Sequence, residues 1–66
     1  MRTREDVEAD LHGLGFDVTD GPRADVDGWH ATITRGALTI SATGTGEIAV
    51  LEDLLHLARR RLGEAS

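Results

Sequence analysis

Trp29-His30-Ala31-Thr32-Ile33-Thr34-Arg35-Gly36-Ala37-Leu38-Thr39-Ile40-Ser41-Ala42-Thr43-Gly44 decides the architecture of this chain. Trp29, Ala31 and Ile33 alternate with His30, Thr32 and Thr34; after Arg35-Gly36, Leu38, Ile40 and Ala42 alternate with Thr39, Ser41 and Thr43. Alternation with period two marks a half-buried strand, and two such runs around a glycine-containing turn predict a β-hairpin. With Arg35-Gly36 as a two-residue loop, Ile33 faces Leu38, Ala31 faces Ile40 and Trp29 faces Ala42. Every facing pair is then apolar on one side of the pleat. The other side presents His30, Thr32, Thr34, Thr39, Ser41 and Thr43, and Asp17 and Thr19 of the preceding segment are expected beside them.

Upstream, Thr3 is placed to cap a helix, with Asp6 three residues on in a capping-box position and Glu5 and Asp6 at the positive helix end. Val7, Leu11 and Leu14 form its buried stripe. Gly15 is the expected left-handed C′ residue, with Phe16 folding back on Leu11 in a Schellman arrangement; Gly13 weakens the last turn. Phe16-Asp17-Val18-Thr19 alternates as a short strand, and Asp20 through Gly28 has the composition of a loop. Downstream of the hairpin, Thr45 is the expected cap of a long helix from near Gly46 to Gly63, with Glu47 in its first turn and Arg59-Arg60-Arg61 in its last. On a helical wheel Ile48, Val50, Leu51, Leu54, Leu55, Leu57, Ala58 and Leu62 cover about half the circumference. That arc is wider than one sheet face requires. The first helix covers part of it, or it carries surplus apolar surface for a partner; in so small a domain the first reading is preferred.

The resulting fold class is α+β in the order α-β-β-β-α, a three-stranded antiparallel sheet with both helices packed on the Trp29/Ile33/Ile40 face. The 66 residues are read as a single domain, 1–66. A domain of this size buries only about 60% of the surface its unfolded chain exposes, so self-association is an expected source of stability. Without cysteine there are neither disulfides nor thiolate metal sites, and a reducing, cytoplasmic location is expected. The start Met1-Arg2-Thr3-Arg4-Glu5-Asp6 and the lack of an apolar run predict neither a signal peptide nor a membrane span. All seven basic residues are arginine, and Lys, Asn, Gln and Tyr are also missing, as in proteins of GC-rich bacterial or phage genomes.

The net charge of −5 is unevenly placed, with eight of the twelve acids before residue 29. An acidic chain argues against non-specific nucleic-acid binding. Gly44-Thr45-Gly46-Glu47-Ile48-Ala49 matches G-x-G-x-x-A between a strand and a helix, but the preceding strand belongs to an antiparallel hairpin and Glu47 would repel phosphate. The pattern is read as a sharp strand-to-helix turn. Asp20, Asp25 and Asp27 lack EF-hand spacing and read as a solvated acidic loop, with a weak divalent-ion site as the lesser alternative. His12, His30 and His56 fall on three elements without metal-ligand spacing, so no metal and no cofactor are expected. Arg59-Arg60-Arg61 suits the negative end of a helix and could otherwise bind an anion; Arg61 lies nearest the apolar arc. With no Cys, Tyr or Lys, and with Ser41 and Ser66 lacking a nucleophile's context, no catalytic residue is assigned and no enzyme is expected.

The α-β-β-β-α order resembles that of double-stranded-RNA-binding domains. Their lysine-rich start to the second helix is replaced here by Gly46-Glu47-Ile48-Ala49, so the resemblance implies the topology without RNA binding. Asp27-Gly28-Trp29-His30-Ala31, followed by Ala42-Thr43-Gly44-Thr45 and a leucine-rich helix, resembles the core of HicB-type antitoxins over residues 25–62, without that family's proline-rich strand connection. The function expected from the residues is a non-enzymatic protein-interaction module, a homodimer that binds through its sheet face (His30, Thr32, Thr34, Thr39, Ser41, Thr43) or an unguarded sheet edge. The alternative is an acidic regulator, antitoxin-like or an anti-defence protein of phage, whose Asp6, Asp10 and Asp17 occupy a basic nucleic-acid site on a target protein.

Overall fold

The computed structural model describes residues 2–65; Ser66 lies outside them. Its elements run α1 (Arg4–Gly13), β1 (Asp17–Asp25), β2 (Gly28–Arg35), β3 (Leu38–Gly44) and α2 (Glu47–Ala65). This is the α-β-β-β-α order, with an antiparallel sheet of strand order β1-β2-β3. Helix α2 packs across all three strands and α1 packs on α2 and β1, so both helices cover the same face.

Local chemistry sets α1. Asp6 N–H donates to Thr3 Oγ1 (3.3 Å) and Thr3 N–H to Asp6 Oδ2 (3.0 Å), a reciprocal capping box that satisfies two orphan donors. At the other end Phe16 N–H donates to the Leu11 carbonyl (3.0 Å) and Gly15 N–H to that of His12 (2.9 Å), with Gly15 at φ +89°. Those two bonds are the Schellman pair. They drive Phe16 into the core, where it is fully buried with Val7 and Leu11. Gly13 ends α1 in open space, so Gly13→Ala is expected to stabilise the protein by about 0.5–1 kcal/mol in urea unfolding. A loss of stability would show that the last turn needs glycine.

The hairpin has the expected faces and a different register. Ile33 pairs with Ile40, Ala31 with Ala42, and Trp29 with Gly44; the loop is Gly36-Ala37, not Arg35-Gly36. Gly36 takes φ +60° while Ala37 stays at negative φ, as a type II′ loop with glycine first requires. Moving the loop by one residue shifts the pairing by two, and period two leaves every side chain on its expected face.

Strand β1 is longer than its composition suggests. Asp20–Asp25 has the composition of a loop, yet Arg23, Ala24 and Asp25 pair with His30, Trp29 and Gly28. Register shifts between Val18 and Asp20, and between Asp20 and Arg23, absorb Gly21-Pro22, which are joined by a cis peptide bond. β1 is an edge strand, where a residue without an N–H and a bulge are both tolerated. The turn shrinks to Val26-Asp27.

Helix α2 also departs from expectation at both ends. The Gly46 carbonyl accepts the first helical bond, from Val50 N–H (3.0 Å), so the boundary residue is Gly46 and not Thr45. Gly63 keeps a helical backbone and the helix runs on to Ala65, which removes Arg59–Arg61 from the last turn. Dipole complementarity therefore no longer accounts for the three arginines. The apolar arc is divided as the preferred reading has it. Val50, Leu51, Leu54, Leu55 and Ala58 are buried beneath the sheet and α1; Leu57 and Leu62 are half-buried, and Ile48 is exposed. One core results, closed on the strand side by Ala31, Ile33 and Ile40.

Candidate interaction surfaces of the sheet

Because both helices lie on one face, the opposite face of the sheet is uncovered. Pairing places Asp17, Asp20 and Arg23 of β1 beside Thr34, Thr32 and His30 of β2, which lie beside Thr39, Ser41 and Thr43 of β3. The six face residues named from strand phase thus share one surface, and β1 adds a charged row to it. Asp20 and Arg23 form an exposed ion pair (3.3 Å), and Thr32 Oγ1 and Ser41 Oγ share a hydrogen bond (3.0 Å) across the two strands. Thr19 Oγ1 donates to the Thr32 carbonyl (3.4 Å).

A shallow cleft of about 470 Å³ crosses this face between Asp20, Arg23 and Asp25 on one side and Ser41 and Thr43 on the other, with His30 and Thr32 beneath. His30 Nε2 is 3.9 Å from Asp25 Oδ2, beyond hydrogen-bond reach, and has no hydrogen-bond partner among the described residues. Asp17 stands beside this face as its strand phase predicts, whereas Asp20 and Arg23 fall in the stretch whose composition reads as loop. Arg23 and Asp25 keep the period-two signal, but Gly21-Pro22 interrupts it.

The two edges differ. On β1 stand Pro22, two register shifts and the charges of Asp17, Asp20, Arg23 and Asp25. On β3, Leu38-Thr39-Ile40-Ser41-Ala42-Thr43-Gly44 has no charge, no proline and no register shift. Beside it runs a groove of about 350 Å³ lined by Thr39, Ile40, Ser41, Leu57, Arg60 and Arg61. Gly44 closes the strand against α2: a Cβ there would lie 3.0 Å from Val50 N, so this glycine of the G-x-G-x-x-A pattern serves helix packing.

The acids of the alternative reading are not gathered. Asp6 is held in the capping box, Asp10 accepts a hydrogen bond from Arg2, and Asp17 lies on the uncovered sheet face. The Arg2 hydrogen bond holds the exposed Asp10 carboxyl below the usual carboxylate range, with burial opposing it weakly. Arg2 also pairs with Glu52 (3.0 Å) and Arg4 with Glu47 (3.0 Å), so α1 is tied to α2 on its exposed side. The hydrogen bonds that Arg4 donates to Glu8 and Glu47 raise it further above its already high range. Arg59 lies beside Arg2, Glu52 and His56 at a third groove. Among the described residues no three His, Cys, Asp or Glu side chains are grouped to hold a metal ion, and no helix is long and apolar enough to cross a membrane.

Comparison of the chain with models of protein families, with curated proteins and with solved structures finds no match in any of the three.

Proposed function

We propose that this chain is a small, non-enzymatic protein-interaction module that works as a homodimer joined through its sheet. The supporting observation is the inequality of the two edges. β1 is blunted by Pro22, by bulges and by charge, the devices with which edge strands avoid pairing, whereas β3 carries none of them. A bare edge offers its unpaired N–H and C=O groups to another strand, and such main-chain pairing is a common mode of protein recognition. Size favours the same reading. A 66-residue domain whose core holds eleven buried apolar residues among those described is near the lower limit of independent stability, and dimerisation adds to it by mass action. The threonine- and serine-rich face remains open beside the edge for a further partner.

Light scattering from low to high micromolar concentration tests this. The expected result is a mass rising from one chain toward two across that range. A single-chain mass at the highest concentration overturns the proposal.

A further inference from the structure

We infer that the two copies meet β3 to β3 about a two-fold axis beside Ile40 and Leu57, with Asp53 of each copy facing Arg61 of the other. This deepens the homodimer reading above and rests on it. The charge pattern of the helix places the axis, and the strand beside it accommodates that placement. On α2, Asp53, Leu57 and Arg61 follow one another at four-residue intervals and form one stripe along the helix. A two-fold axis through Leu57 lays leucine on leucine and sets each Asp53 opposite Arg61 of the partner subunit, twice in the dimer. Moving the axis one turn either way would set Asp53 on Asp53 or Arg61 on Arg61. Like charges would then meet at the centre, so only Leu57 serves as the axis residue.

On β3, antiparallel pairing of two copies centred on Ile40 opposes Thr39 to Ser41 and Leu38 to Ala42. No charged residue takes part. Ile40 is the centre that matches Leu57, because the two line the same groove at the β3 edge, with Arg61 on its wall. Asp53 and Arg61 are exposed, and their side chains enter no ion pair or hydrogen bond among the described residues, so both are available to the second copy. Two three-stranded sheets would become one of six strands, with both Thr/Ser faces on the same side.

The experiment uses exposed residues whose exchange leaves the core intact. Asp53→Arg and Arg61→Asp are each expected to raise the dimer dissociation constant about tenfold, since each sets like charges together at two symmetry-related positions. The double variant Asp53→Arg/Arg61→Asp restores both pairs in exchanged order and is expected to return within about threefold of wild type. Mixing the two single variants makes every pair complementary and is expected to give a heterodimer tighter than either homodimer, read by light scattering and by native mass spectrometry. Circular dichroism of each variant checks that it is folded. A dimer indifferent to all three changes, or a mixture that does not sort by charge, overturns this interface and leaves the homodimer reading standing. A wild-type chain that stays monomeric overturns both.

Discussion

Phe16→Ala is expected to lower the thermal midpoint of this protein by at least about 12 °C, or to abolish its cooperative transition altogether. Phe16 is the largest fully buried side chain in the core. Truncating a buried phenylalanine removes its transfer free energy and leaves a cavity, at a cost of about 3–5 kcal/mol. At about 0.05–0.15 kcal/mol per residue, a chain of 66 residues has roughly 3–10 kcal/mol in total. One substitution therefore removes from about a third of the margin to all of it. The site has little room to relax, because the Phe16 amide is bonded to the Leu11 carbonyl and Gly15 is locked in the Schellman turn. Thermal unfolding followed by far-ultraviolet circular dichroism and by the fluorescence of Trp29, the single tryptophan, checks this. At about 4–8 °C per kcal/mol for a domain of this size, a variant that still folds should melt at least about 12 °C lower. A midpoint within a few degrees of wild type would mean that Phe16 does not anchor the core. Because association stabilises the folded chain, the comparison is made at equal protein concentration.

What could be read from sequence, and what could not, follows the range of the interactions involved. The α1 cap, its Schellman end and the inner face of the hairpin depend on residues a few positions apart, and all three are found as read. The hairpin register depends on whether Gly36 stands first or second in its loop. Arg35-Gly36 and Gly36-Ala37 both place one glycine where a left-handed residue is needed, and both keep the same faces. Face was legible; pairing partner was not. The end of α2 is not legible for a related reason: glycine in a long helix can stop it or pass through it, and at Gly63 the helix continues.

The candidate surfaces divide the same way. Strand phase alone put His30, Thr32, Thr34, Thr39, Ser41 and Thr43 on one face, and pairing places them there. Of the charged row of β1, Asp17 is legible in the same way, but Asp20 and Arg23 are not, because acids, glycine and proline compose both a loop and a bulged, solvated edge strand; only a partner strand distinguishes them. The groove joining Ile40 to Leu57 has no local signature, being set by where α2 lies over the sheet. The wide apolar arc of α2 hinted at it, since Leu57 sits on the rim of that arc and is only half-buried.

Gly21→Ala is the second large effect, and it separates the two edges of the sheet. Gly21 has φ +78°, and a Cβ there would lie 2.4 Å from the carbonyl oxygen of His30 and 3.2 Å from Ala31 Cα. Both are backbone atoms of the central strand, whose His30 and Ala31 are paired with Thr43 and Ala42, so neither can give way without disturbing the β2–β3 ladder. Gly36 supplies the control. It too has positive φ, +60°, but nothing stands within 4 Å of its Cβ position. Gly36→Ala therefore costs only the left-handed penalty of about 1–2 kcal/mol. Gly21→Ala adds backbone overlap and should cost roughly 2–4 kcal/mol. Urea unfolding of the two variants, followed by Trp29 fluorescence, measures the difference; equal losses would mean that β1 shifts away from β2 at little cost. The strain falls between β1 and β2, whereas the proposed dimer forms along β3, the opposite edge. In the concentration range where Gly21→Ala is still folded, its dimer dissociation constant should therefore stay within about threefold of wild type, as expected for distant, independent sites. A dimer that weakens in step with the lost stability would instead make β1 part of the interface.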